Sequence, residues 1–175
     1  MAAGSRASSA SPPACRVPTT SAISAAGAPT WPTASRTAPR RRPPDMDTKD
    51  INHSEVVTEI TGIFLDYESA LMANDVDALN DFFWDSAATT RYGIADKQLG
   101  HAALVAYRQG VPAPNFTRTL HDVRITAFGA DMAVAMCEFT RSDTSLRGFQ
   151  TQTWVRFGTQ WKIVSAHVSM IPMPS

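Results

Sequence analysis

The sequence predicts an α+β domain in which N-terminal helices pack on one face of a curved antiparallel sheet. Three observations predict it. From Val56 to Phe83, apolar residues recur at spacings of three and four, the period of one helix face. From Thr117 onward the pattern changes to four long stretches rich in Val, Thr, Phe, Trp and Ile. Short polar turns separate those stretches, which is how an antiparallel meander is joined. Helices followed by strands, rather than alternating with them, gather the helices on one side of the sheet.

The elements follow in order. Val56, Ile60, Ile63, Phe64, Tyr67 and Leu71 mark a first helix over residues 54–73, with Ser54 and Glu55 suited to its start. Gly62 weakens its interior unless close packing needs it. Asn74-Asp75 breaks the helix. Val76, Leu79, Phe82 and Phe83 mark a second, shorter one, completing a helical hairpin. Residues 88–92 read as a short strand ending on Arg91 and Tyr92, and residues 93–100 as a turn or small hairpin. HAALVAYRQ, 101–109, is a third helix, stopped by Gly110 and Pro112. Four strands follow at 119–128, 132–141, 147–157 and 161–171. In the last, Val164, Ala166, Val168 and Met170 form an apolar phase, and Trp161, Ile163, Ser165, His167 and Ser169 a mixed one. Gln150, Gln152, Trp154 and Arg156 share a phase of the strand before. Polar side chains in such strands face solvent or line a wet pocket inside the curve; both readings are open.

Composition separates a tail, 1–45, from a domain, 46–175. In the tail, Ala, Pro, Ser and Thr fill 31 positions, and eight of the chain's 12 prolines lie there. It carries six arginines against one acid and few large apolar residues, so it cannot bury enough surface to offset its ordering entropy. It has no apolar run of the kind a secretory signal needs. A transit peptide and an upstream gene-call extension before Met46 both remain open. Without the tail, ten basic residues face fifteen acidic ones, a net charge of −5. That argues against a nucleic-acid surface, and it means that an anionic ligand needs a local positive site. The domain's one cysteine, Cys137, lies in an apolar run and suits a reducing, cytoplasmic setting. No apolar run is long enough to span a membrane as a helix.

Familiar catalytic patterns are missing. His53, His101, His121 and His167 make no HxH or HExxH spacing, and no CxxC, GxSxG or Gly-rich phosphate loop occurs, so no metal or other cofactor is expected. What remains is a set of single polar groups. Tyr67 sits on an apolar helix face, where an ordinary core tyrosine would also sit. Arg91 ends a short strand, where an ordinary surface arginine would also sit. If the two share a pocket, an inward arginine can clamp a carboxylate and tune the tyrosine as proton donor or base. His167, Gln152 and Trp84 are further ligand-binding candidates, each with a structural alternative.

Three stretches carry a resemblance: YESALMANDVDALNDFFWDSAATTRYG, ITAFGADMAVAMCEFTR and QTQTWVRFGTQWKIVSAHVSM. Together they resemble the AtzH-like family, including the proteins encoded beside oxalurate-catabolism amidases, over about residues 50–171. The resemblance implies an NTF2-like, cystatin-like cone and a homodimer through the open sheet. It implies a role in ureide or s-triazine nitrogen catabolism next to an amidase-signature partner. One member hydrolyses 1,3-dicarboxyurea, and its functional tyrosine and arginine fall on Tyr67 and Arg91. The expectation is therefore a small metal-independent amidohydrolase acting on an anionic ureide; the alternative is a non-catalytic accessory module for the amidase. Many relatives carry an arginine where this chain has Phe149, and Arg147 is the candidate substitute.

Overall fold

A computed structural model describes residues 47–173, so the 1–45 tail lies outside the described residues. Helix α1 (Ser54–Ala73) buries Val56, Ile60, Phe64 and Tyr67 along one stripe. Gly62 faces open space rather than a close neighbour, so packing does not require it. Asn74 ends the helix with a left-handed φ of 54°, a conformation that asparagine tolerates better than most residues. Asp75 then caps α2 (Val76–Asp81), its Oδ1 accepting from Ala78 N–H at 3.0 Å. Helix α3 spans His101–Gly110.

The strands are β1 (Thr90–Tyr92), β2 (Lys97–Leu99), β3 (Arg118–Phe128), β4 (Met132–Arg141), β5 (Arg147–Phe157) and β6 (Gln160–Ile171). They form one six-stranded sheet in the order β2-β1-β6-β5-β4-β3. All neighbours are antiparallel except β1, which runs parallel to β6. The predicted small hairpin is β1–β2. Its parallel seat on β6 is prepared upstream, where Phe83 already bridges Ile163 in parallel.

The core fills the space between α1 and the sheet. Ala127, Ala133 and Ala135 are fully buried and give the helix a flat floor on β3 and β4. Phe64, Phe83 and Trp154 fill the remaining volume. One irregularity matters for the site. Thr153 pairs with Ser165 but Trp154 pairs with Ile163, so β6 carries one extra residue, Val164. A bulge of this kind reverses the alternation beyond it. Trp161 and Ile163 point inward before the bulge, and Ala166 points inward after it. His167 is therefore turned outward, against the simple two-residue phase.

Candidate functional site

One row of the sheet places most of the site. Gln98 of β2 pairs with Arg91 of β1, Arg91 with Ala166 of β6, and Ala166 with Gln152 of β5. Paired residues share a face, here the one under α1. Adjacent strands are about 4.8 Å apart, so Arg91 and Gln152 stand roughly 10 Å apart with only a methyl group between them. Gln152 is 1% exposed, and neither its Oε1 nor its Nε2 has a hydrogen-bond partner.

Arg91 is held rigidly. Its Nη1 donates to Asp96 Oδ1 and to Gln98 Oε1, both at 2.7 Å. Gln98 Nε2 donates to Asp96 Oδ1 at 2.9 Å, and the Tyr107 hydroxyl donates to Asp96 Oδ2 at 3.1 Å. The guanidinium also lies over the Tyr107 ring, 5.2 Å from its centroid. Burial works against the Asp96 carboxylate, but the Gln98 hydrogen bond, the Arg91 charge and the bonds from Arg91 and Tyr107 outweigh it. The net effect holds its pKa below the ordinary value. Gly93 makes this possible, since a Cβ there would overlap the Asp96 carboxyl.

Tyr67 comes from α1 and packs edge-on against Phe82 and Phe83, with centroids 5.7 and 6.3 Å away. Burial pushes its phenol above the ordinary pKa, and the charges of Arg108, Arg91 and Arg118 oppose that rise while Glu68 adds to it. Tyr67 and Arg91 thus act on each other electrostatically. Arg108, in the last turn of α3, lies over the Phe83 ring at 5.0 Å, and its Nη1 is 3.5 Å from Asn80 Oδ1. Burial lowers its pKa and repulsion from Arg91 adds to that, while Tyr67 and Tyr107 counter both. Arg91, Tyr107 and Arg108 line a pocket of about 120 Å³ whose apolar wall includes Leu71, Leu79 and Pro112.

Deeper in the cone a second polar set closes on itself. Gln150 Nε2 donates to Glu68 Oε1 at 2.6 Å, Arg118 Nη2 donates to Gln150 Oε1 at 3.0 Å, and Arg118 Nε lies 3.3 Å from Glu68 Oε2. Arg118 also stacks on Phe139. Burial raises the Glu68 pKa, and Arg118 and Gln150 oppose it. Cys137, beside them, is pushed up to about 11 by burial and the Glu68 charge, against the pull of Arg118.

Of the residues singled out in the sequence, Tyr67, Arg91 and Gln152 face the same interior. His167 does not join them. The β6 bulge places it on the opposite face, exposed, with its ring edge-on to Tyr92 at 6.3 Å and Thr151 and Ser165 nearby. Trp84 does not join them either. The chain at 82–84 is pinned to Ile163 with Phe83 inward, so Trp84 alternates outward and stacks on Phe157 at 5.1 Å. There it borders a wider cleft of about 590 Å³ shared with His101 and the exposed Asp81 and Asp85. Phe149 and Arg147 also lie away from the pocket, Arg147 facing Glu138 at 3.6 Å, so Arg147 is no substitute cation. The pocket's second cation is Arg108. Little in the sequence pointed to it, because an arginine in a last helical turn has a sufficient role beside the helix dipole. Asp96 was equally hidden inside a turn. Among the described residues, no group of three or more His, Cys, Asp and Glu gathers as a metal site. No helix among them is long and apolar enough to cross a membrane.

Helices over one face of a curved, unclosed sheet, with polar groups facing the space between, define an NTF2-like, cystatin-like protein. The chain belongs to the AtzH-like family, whose model matches residues 49–174. Two solved structures are similar over nearly their full length. One is a cystatin-like fold protein from Burkholderia xenovorans LB400, 44% identical, covering 71% of this chain and 98% of that one, with a TM-score of 0.68. The other is a protein of unknown function from Pectobacterium atrosepticum SCRI1043, 40% identical, covering 72% and 98%, with a TM-score of 0.70. An NTF2-like protein from Pseudomonas putida KT2440, 18% identical over 66% of this chain and 87% of that one, shares the fold at a TM-score of 0.58. The search of curated proteins found no match.

Proposed function

We propose that the protein is a small, metal-independent amidohydrolase acting on a carboxylated urea. The observation that carries the reading is Gln152. A fully buried primary amide with both polar atoms unpartnered is costly unless a ligand completes it. Its donor and acceptor match the carbonyl and N–H of a urea. The arginines of the pocket supply the positive charge that a carboxylate needs in an acidic domain. Tyr67 is the proton donor rather than the base, because burial keeps its hydroxyl protonated at neutral pH. In the reaction, water adds to the urea carbonyl, the C–N bond breaks, and Tyr67 gives its proton to the departing nitrogen and recovers one from the water.

Turnover of ureido acids by the purified protein tests this. Tyr67→Phe and Arg91→Ala are each expected to cut kcat/KM by about a hundredfold or more. Unchanged rates in both would remove them from the chemistry. Binding without turnover would favour the accessory reading, in which the domain serves a partner amidase. Met132, Met136, Phe149 and Ile171 are exposed on the sheet face turned away from α1. They fit a homodimer through that face, and a monomer mass in light scattering would count against it.

A further inference from the structure

We propose that Arg108, not Arg91, holds the ligand's carboxylate, and that the pocket is matched to a ligand with one net negative charge. This rests on the reading of the pocket as a ureide site and adds which cation binds and what charge is selected.

The inference comes from counting charges by partner. Arg91 is neutralised by Asp96 at 2.7 Å. Arg118 is neutralised by Glu68 at 3.3 Å. Arg108 has no carboxylate within 4 Å among the described residues; its polar partners, the Asn80 amide and the Tyr67 hydroxyl, are neutral. It lies on the apolar ring of Phe83 and shares a 120 Å³ pocket with a second guanidinium that repels it. A partly desolvated cation beside a like charge, without a counter-ion, is unfavourable in the unliganded protein. An anion removes that cost. Tyr107 lines that pocket and Tyr67 lies against Arg108, and burial raises the pKa of both, so neither phenol contributes charge at neutral pH. Arg91, Arg108 and Asp96 therefore leave the pocket at +1. A monocarboxylated urea cancels that charge, and a dicarboxylated one overshoots by one. Arg91 keeps a different task, because its Nη1 is already committed to Asp96 and Gln98. Its charge is fixed where it acts on the Tyr67 hydroxyl, which makes it a group for the reaction more than for binding.

Calorimetric titration of the full chain with three probes of similar size tests the assignment: hydantoate (a monoanionic ureido acid), malonate (a dianion) and biuret (neutral). Hydantoate is expected to bind the wild type tightest. Arg108→Gln is expected to weaken it roughly tenfold to a hundredfold, as for loss of one charge-assisted pair. Arg108→Lys, which keeps the charge but loses the fork, is expected to fall between, and it keeps the test decisive if the Gln variant does not fold. The Arg91→Gln/Asp96→Asn pair, which removes both members of that ion pair and keeps the pocket at +1, is expected to change hydantoate binding by no more than about threefold while lowering kcat, a split between binding and chemistry. Asp96→Asn, which raises the pocket to +2, is expected to shift preference toward malonate. Hydantoate binding that survives both Arg108 changes, or that is lost with the Arg91→Gln/Asp96→Asn pair, overturns this assignment and leaves the ureide site standing. If no probe binds the wild type, the ureide site falls and the assignment with it.

Discussion

Replacing Gln152 by methionine is expected to stabilise the unliganded protein while destroying its function. The side chain is 1% exposed, with neither amide atom paired. A buried amide in that state costs about 1–3 kcal/mol. Methionine has the same unbranched length and adapts to irregular space, so it removes the polar atoms without opening a cavity. The expected gain is therefore about 1–3 kcal/mol. For a domain of about 130 residues, each kcal/mol is worth roughly 3–4 °C, so Tm should rise by about 3–12 °C. Thermal unfolding followed by circular dichroism, on both proteins without ligand, measures this. Ureido-acid turnover should fall in the same variant, the usual exchange of activity for stability at a site. An unchanged or lower Tm would refute the reasoning, since it would mean that the amide is already satisfied without ligand.

Two further outcomes are expected. Gly62→Ala should raise stability by about 0.5–1 kcal/mol in denaturant titration, because the position is exposed, mid-helix and free of neighbours that a methyl would strike. Iodoacetamide at pH 8, followed by peptide mapping to separate it from Cys15, should leave Cys137 unmodified in the native protein and label it in denaturant. Its thiol, held near 11 by burial and the Glu68 charge, is almost wholly protonated at that pH, and it is buried.

Much of the fold was legible, because helix period, strand period and turn residues agree along the chain. Of the four long strands, β4 and β5 have the expected bounds, and β3 and β6 each start one residue earlier. The misses have local physical causes. A single inserted residue, Val164, defeats any argument from alternation, because everything beyond it changes face. That is why His167 read as a pocket residue while Ala166, its neighbour, occupies the pocket row. Trp84 was misplaced for a related reason, since only the bridge between Phe83 and Ile163 decides which of two adjacent aromatics turns inward. Arg108 and Asp96 were invisible for another. Their importance lies in which charges lack or have partners, and pairing across 11 residues of chain between a turn and a helix leaves no periodic trace.

Ala166 sets a consequence of its own. It stands between Arg91 and Gln152 in the row of paired strands, so its methyl group is what lies across the gap between the cationic and amide side chains. Valine there would narrow the gap, and glycine would deepen it, without altering a single polar group. A chain of this design can therefore retune the size of what it accepts, within its charge class, through one small apolar position, while the groups that recognise and react stay where they are.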